Sequence, residues 1–213
     1  MGAACRTAGQ TSVPQVNPGP PGGEPQLVQP GRPGEASKVV TAETSARSAA
    51  LPHTPGDTKF MQGMIGHHQQ ALEMAALVYQ NSQREEMKLL AKRIEVSQVD
   101  EINMMKGWLS TRREAIPDEH AHHAGDHALM PGMLTQAEMT RLASAKGAEF
   151  DRLFLQGMIK HHQGALTMVK ELFATPAAGQ DAEIFAFASD VDADQSMEID
   201  RMAAMLAALK EQR

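Results

Sequence analysis

Met64-Ile65-Gly66-His67-His68-Gln69 occurs again, with one change, as Met158-Ile159-Lys160-His161-His162-Gln163. Around this stretch, twelve of the eighteen positions of residues 57–74 are identical to those of residues 151–168. A repeat of this length indicates that one structural unit is duplicated within the chain. We therefore expect the same local fold and the same chemistry to occur twice.

The repeated unit has the pattern of a helical hairpin. Apolar residues recur every three or four positions from Phe60, which predicts a helix from an N-cap at Asp57 to about Gln80. Residues 82–85 match a capping box, which predicts a second helix to about Ser110. The connection is short, so the two helices should be antiparallel. The second copy repeats them over about 148–173 and 181–212.

Two hairpins and one long connection predict an all-α, ferritin-like four-helix bundle. Repeat 1 covers 57–110, the crossover covers 111–147 with a short helix after a capping box at 135–138, and repeat 2 covers 148–213. Residues 1–55 are rich in Pro, Gly, Ser and Thr and nearly lack aromatic side chains. Such a segment buries too little apolar surface to offset its ordering entropy, so we expect a disordered tether before one domain at 56–213.

Composition excludes several functional classes. The net charge is −6 and no basic stripe is present, which argues against a nucleic-acid partner. No apolar run reaches the ~20 residues of a membrane span. The single cysteine, Cys5, excludes an internal disulfide and a thiolate metal site. It follows Gly2-Ala3-Ala4, which resembles the lipidation site of an exported bacterial lipoprotein, so a lipid anchor at Cys5 is the one membrane contact we expect. A free cysteine in a flexible tail is the alternative.

Polar residues lie on the inner faces of the predicted helices. On the first helix, His68 falls near the centre of the apolar face, whereas His67 falls on its rim with Met74. On the second helix, Glu101 interrupts an otherwise apolar face. A buried carboxylate without a partner is costly, so Glu101 must meet a histidine, a metal ion or a proton. Glu198 has the same surroundings in the second copy.

Two interpretations of this interior stay open. The His and Glu residues could form a structural layer that fixes helix register, with the 15 methionines as core filler. Alternatively, the same residues could ligate a metal ion. The candidate interior ligands are Met64, His67, His68, Met74, Glu101, Met105, Met158, His161, His162, Met168, Glu198 and Met202.

Ligand type discriminates between metals. Carboxylate-bridged di-iron bundles carry a Glu-x-x-His spacing, which neither inner face has, so ferroxidase chemistry is disfavoured. Thioether is a poor ligand for zinc. Imidazole with thioether suits copper, particularly Cu(I). We therefore expect a copper ion, Cu(I) or Cu(II), as the bound species.

The crossover supplies a second candidate metal site. Four histidines fall within eight residues and two methionines follow closely, a composition typical of metal-binding segments. A polar loop with incidental histidines is the alternative. The candidate ligands are His120, His122, His123, His127, Met130 and Met133.

These motifs resemble those of the bacterial domain-of-unknown-function family 305. Its hallmark is a Met-Ile-x-His-His-Gln-x-Ala-x-x-Met helix followed by a Gln-x-x-Glu-Ile-x-x-Met helix. Both copies match, at residues 64–74 with 98–105 and at 158–168 with 195–202. Residues 130–133 also resemble the segment that precedes the family's second copy. The resemblance implies a ferritin-like bundle exported to the periplasm or cell surface, and copper binding or tolerance in some members.

The resulting hypothesis is an exported protein that sequesters copper, confers tolerance to it or transfers it through His/Met clusters. Its partners would be the ion and a copper-handling protein. Glu101 and Glu198 would be ligands or would orient imidazoles. No catalytic residue is expected, and an enzyme is disfavoured because no substrate-pocket pattern is present. A metal-dependent oxidoreductase on the same bundle, and a structural or interaction module with a buried His/Glu layer, are the alternatives.

Overall fold

A computed structural model of the chain confirms the all-α bundle. It describes residues 27–29, 31, 34–41, 53–118 and 129–211. Within these ranges the helices are α1 (Pro55–Asn81), α2 (Glu85–Thr111), α3 (Gln136–Ser144), α4 (Gly147–Ala174) and α5 (Ala182–Glu211). Helices α1 and α2 form one hairpin, α4 and α5 form the other, and α1 packs directly against α4. None of the described helices combines the length and hydropathy of a membrane span.

Two predicted helix starts need correction. Helix α1 has Thr54 as its N-cap, and the Asp57 backbone N–H donates to the Thr54 Oγ1 at 3.2 Å. Asp57 is therefore the third residue of the helix, and its Oδ2 accepts from the Thr54 backbone N–H at 2.8 Å. Helix α2 is capped by Arg84 without a side-chain bond, so the capping box expected at 82–85 is absent. The capping box at Thr135 and Glu138 is confirmed.

Each hairpin contacts the turn of the other through a buried aspartate. The Asp57 Oδ1 accepts a hydrogen bond from the backbone N–H of Gly179, in the α4–α5 turn, at 2.7 Å. Asp151 faces Ser82 and Arg84 at the α1–α2 turn, and its Oδ2 lies 3.5 Å from the Arg84 Nε. We call these contacts the reciprocal aspartate ties. They join the two copies into one domain.

The core follows the approximate twofold symmetry of the repeat. Helical spacing around Glu101 predicts an inner face of α2, and all of its residues are buried except Glu101, which is half-buried. The buried residues are Met87, Leu90, Ala91, Ile94, Gln98, Ile102, Met105, Trp108 and Leu109. Two apolar clusters fill the interior. Among the candidate methionines, the first cluster contains Met64 and Met105 from the first copy and Met168 from the second. The second cluster contains Met158 and Met202 from the second copy and Met74 from the first. The symmetry therefore operates at the level of individual side chains.

The crossover contributes a segment, residues 130–134, which we call the strap. The side-chain amide of Gln70 donates to the Leu134 carbonyl at 2.9 Å, and its oxygen accepts from the Leu134 N–H at 2.7 Å. On the α4 side, a Cβ added to Gly164 would lie 1.9 Å from the Pro131 carbonyl oxygen. The strap is thus held between α1 and α4.

The predicted tether contains a short β-hairpin in its described residues. Strand β1 (Leu27–Gln29) pairs antiparallel with β2 (Lys38–Val40), and Leu27 faces Val40. Valines in both strands favour the extended conformation, and Gly34 adopts a φ of 82° in the connection. This hairpin departs from the expected disorder, because a composition averaged over 55 residues hides two three-residue strands.

Candidate metal centre

Four histidines form a buried layer where α1 packs against α4. His67, His68 and His162 are 0% exposed and His161 is 1% exposed. The ring centroids of His67 and His161 lie 3.8 Å apart across the two copies. Within each copy the two rings are 6.3 Å apart. The rim position predicted for His67 is therefore wrong, because α4 covers a flank that looks peripheral on an isolated helix.

A carboxylate holds one histidine of each copy. The His68 Nε2 lies 2.6 Å from the Glu101 Oε2, and the His162 Nε2 lies 2.6 Å from the Glu198 Oε2. The predicted contact between His68 and Glu101 is thus present, and the second copy repeats it. Burial alone would raise the pKa of Glu101, but the hydrogen bonds of His68 and Ser97 and the charges of His68 and His162 together lower it.

Backbone groups of the strap and of α1 contact the other two histidines. The His67 Nε2 lies 3.0 Å from the Pro131 carbonyl of the strap, to which it donates. The His161 ring lies against the backbone of His67. Burial, followed by the charge of His68, lowers the pKa of His67 to about 3. Burial and the charge of His67 hold the pKa of His161 well below its ordinary value. Both rings are therefore neutral near pH 7.

The second ring nitrogen of each histidine has no hydrogen-bond partner within the described residues. The unpaired atoms are His67 Nδ1, His68 Nδ1, His161 Nε2 and His162 Nδ1. A ring that donates from one nitrogen and is neutral carries a lone pair on the other. Metal-ligating histidines are held in this way, with an oxygen acceptor fixing the nitrogen that does not bind the ion.

The same layer contains two glutamines that were not among the candidate ligands. Gln98 and Gln195 occupy equivalent positions on α2 and α5, and both are buried. The Oε1 atom of each is buried and unpaired. Their position one turn before Glu101 and Glu198, in both copies, was the available sequence signal.

The candidate methionines lie in the bundle core. Met64, Met74, Met105, Met158, Met168 and Met202 are all buried, and so is Met133. Met130 is partly buried against the first apolar cluster. Both strap methionines therefore pack into the bundle rather than into an exposed loop site. His120, His122, His123 and His127 lie outside the described residues, so a metal site there stays a prediction.

The donor set fits a soft metal ion better than a hard one. Among the described residues, no three His, Cys, Asp or Glu side chains are grouped tightly enough to enclose an ion by themselves. A mononuclear site in the layer would therefore use thioether sulfur as well as imidazole, or would have few ligands. Cu(I) is compatible with thioether ligands because it is soft, and with few ligands because it is stable at low coordination number.

The bundle is similar to solved structures of other proteins. A DUF305 fragment from Deinococcus radiodurans is 31% identical, covering 74% of this chain and 99% of its own, with a TM-score of 0.65. A DUF305 protein from Streptomyces coelicolor, described as secreted, is 30% identical, covering 73% and 94%, with a TM-score of 0.64. CopM in its Cu(II)-bound form is 31% identical, covering 71% and 96%, with a TM-score of 0.59. CopM structures with Cu(I) and with silver are also similar. No curated protein sequence matches the chain.

The sequence profile of one family covers most of the chain. The profile described as a domain of unknown function, DUF305, matches residues 57–206. This range begins in α1, includes the strap and both His–Glu pairs, and ends within α5. The chain therefore belongs to the DUF305 family.

Proposed function

We propose that this protein binds copper in its histidine layer and acts as an exported protein of copper sequestration or transfer. The observation that carries the proposal is the distribution of unpaired polar atoms. Of the eight buried side-chain nitrogen and oxygen atoms without a partner in the described residues, six belong to the layer of four histidines and two glutamines. The layer offers more ligand atoms than the fold itself uses.

The energetic argument favours a bound species over a purely structural layer. Each buried polar atom left unpaired costs about 1–3 kcal/mol, and a whole domain is stable by only about 5–15 kcal/mol. A layer that served only to fix register would be expected to pair its polar atoms with each other. Here an oxygen holds one nitrogen of His67, His68 and His162, and the other nitrogen of each ring is left for a ligand.

Ligand chemistry and the relatives agree on the class of ion. Neutral imidazoles next to buried methionines suit Cu(I), and imidazole also accepts Cu(II). CopM, at about 30% identity, has been solved with Cu(I), Cu(II) and silver. Glu101 and Glu198 would hold the His68 and His162 rings in place. The secreted relative supports export, whereas lipidation of Cys5 and delivery to a copper-handling protein stay predictions.

Metal titration tests the proposal. The full chain, stripped with a chelator, is titrated with Cu(I) and Cu(II) against competing chelators, and the bound metal is measured after desalting. We expect sub-micromolar binding that disappears when His67, His68, His161 and His162 are replaced by leucine. The matched control replaces His120, His122, His123 and His127 by alanine, and should keep the interior copper.

Circular dichroism checks that the leucine variant is folded. If it is not, the pair His68→Gln and His162→Gln replaces it, because glutamine retains a donor for each carboxylate. Copper stoichiometry that is unchanged in the folded interior variant would refute the site. Turnover of oxygen or a reductant by the copper-loaded protein would instead favour the oxidoreductase alternative.

A further inference from the structure

Helices α2 and α5 line a common groove, and the charge of Glu101 on α2 acts on Asp194 on α5. We call the boundary between the two helices the seam, and its two ends differ in charge. The duplication makes positions on α2 and α5 equivalent at an offset of 97 residues. Four sets of equivalent residues border the seam: Ser97 and Asp194, Glu101 and Glu198, Arg93 and Asp190, and Met104 and Arg201. The Glu pair is identical in the two copies, but the others are not. One end of the seam therefore has Asp190 and Met104, where the other end has Arg93 and Arg201.

The acidic end opens into a groove. It has a volume of about 520 Å³, and its lining includes Met104, Trp108, Thr111, Phe187 and Asp190. The volume lies within the range of small-ligand sites. Met104 is 37% exposed, so its thioether is accessible from solvent. The inner end of the groove, at Met104 and Asp190, lies one helical turn from Glu101 and Asp194.

Asp194 lies between the groove and the His–Glu pairs. It is one turn from Asp190 and one turn from Glu198 on α5. Its pKa is raised by burial and by the charges of Glu101, Asp190 and Glu198, so these three carboxylates lie close enough to act on Asp194. No cation pairs with Asp194 among the described residues. Behind these carboxylates, the His68 and His162 rings keep an unpaired, fully buried nitrogen.

We propose that a copper cation enters the bundle at the acidic end of the α2–α5 seam, and that Asp194 is the first residue to anchor it before it reaches the His162–Glu198 pair. This inference rests on the proposed function. Carboxylates along a cleft raise the local cation concentration and the association rate, whereas Arg93 and Arg201 at the opposite end repel the ion. Arg112, at the outer end of the groove, is paired with Asp181 and Glu183. The side chains of Glu101 and Glu198 are 16% and 12% exposed, so they connect the seam to the buried layer.

The test measures the rate of copper uptake by the full chain. Protein and Cu(II) are mixed rapidly, quenched with a chelator at set times and desalted, and the bound metal is quantified. The variants are Asp194→Asn and Asp190→Arg, the latter giving the residue that the first copy has at the equivalent position. The controls are Asp200→Asn and Asp200→Arg, because Asp200 is exposed on the outward face of the same helix.

We expect Asp194→Asn to load about threefold to tenfold more slowly than Asp200→Asn, and Asp190→Arg to load more than tenfold more slowly than Asp200→Arg. Both differences should shrink at high salt, where surface charges are screened. The final stoichiometry should not change. Circular dichroism confirms that each variant is folded.

Each other outcome is decisive. If the wild type binds copper but the seam variants load at the rate of their controls, the entrance is wrong and the proposed function stands. If Asp194→Asn loses copper at equilibrium, Asp194 is a ligand of the final site and the entry role is wrong. If the wild type binds no copper, both proposals fail.

Discussion

The two copies agree in the histidine layer and differ at the strap and along the α2–α5 seam. The contact between His68 and Glu101 is matched by that between His162 and Glu198 at the same 2.6 Å. The two rings within each copy also share their 6.3 Å separation and 57° interplanar angle. In the layer, the rings of the equivalent residues His67 and His161 pack against each other across the two copies. Duplication therefore preserves the layer.

The strap is the main source of asymmetry. A single crossover packs on a twofold bundle once, so the two copies meet different parts of it. Gln70 holds the strap through two hydrogen bonds, whereas its counterpart Gly164 makes room for it. His67 donates to the Pro131 carbonyl, whereas the His161 ring lies against the backbone of His67. The rings of the inner pair are thus held by different partners.

Acid should produce the largest effect and should act on both copies. Because its pKa is lowered from 6.5 to about 3, His67 is neutral in the folded chain at pH values where the unfolded chain binds a proton. Its contribution to stability is therefore complete above pH 6.5 and is lost as the pH falls towards 3. The pKa of His161 is lowered as well, so stability should fall by several kcal/mol between pH 7 and pH 4.5.

Guanidinium unfolding of metal-free protein at a series of pH values measures this loss. His67→Gln and His161→Gln should each flatten the dependence on pH. If both variants reduce the pH dependence of the free energy of unfolding by similar amounts, the two copies also have similar electrostatics. A free energy of unfolding that is constant between pH 6.5 and pH 4.5 would contradict the prediction.

Gly164→Ala should be the most damaging single substitution where the strap meets α4. The new Cβ would meet the Pro131 carbonyl oxygen and, at 2.7 Å, the Gly132 Cα, and neither atom belongs to a flexible side chain. We expect a loss of about 2–3 kcal/mol in urea unfolding. Gly107→Ala is the control, because its Cβ meets nothing within 4 Å and alanine favours a helix by about 0.5–1 kcal/mol. Equal effects at the two glycines would contradict a tightly packed strap.

The reciprocal aspartate ties should differ in strength. Asp57 accepts hydrogen bonds from Gly179 and Thr54, whereas Asp151 leaves its Oδ1 unpaired and has a pKa raised by burial. We expect Asp57→Ala to reduce the free energy of unfolding by about 2–3 kcal/mol and Asp151→Ala to reduce it by about 1 kcal/mol. Thermal and urea unfolding of both variants provide the comparison. A greater loss at Asp151 would show that its ion pair with Arg84 matters more than the hydrogen bonds of Asp57.

The smallest expected effect is a difference in the free energy of unfolding between substitutions of Ser97 on α2 and of Asp194 on α5. Ser97 donates to the Glu101 Oε1 at 2.8 Å, so Ser97→Ala should cost about 1 kcal/mol. Its counterpart Asp194 is exposed, and Asp194→Ala should change stability by less than about 0.5 kcal/mol. Both values come from urea unfolding of metal-free protein. If Asp194→Ala is the more destabilising, Asp194 has a structural role that the seam does not show.

Periodicity and duplication predicted the hairpins and the contact between His68 and Glu101. Both depend on local rules: helical spacing defines the buried face, and a carboxylate on that face needs a partner. The burial of His67 could not be predicted in this way, because it depends on α4 and on the strap. The difference in charge between the two ends of the seam could not be predicted either, because it depends on how α2 and α5 are aligned. Two sequence comparisons signalled that the copies meet different surroundings: Gln70 with Gly164, and Gly66 with Lys160, whose Nζ pairs with Glu138 of α3.

The reciprocal aspartate ties give the duplication a physical meaning. A contact that runs from the first copy to the second, and again from the second to the first, is the isologous geometry of a twofold homodimer. Each hairpin carries both the aspartate and the turn that its partner needs. The chain is in this sense a dimer in one polypeptide. Its crossover keeps the halves at a high effective concentration, so pairing is intramolecular at any protein concentration.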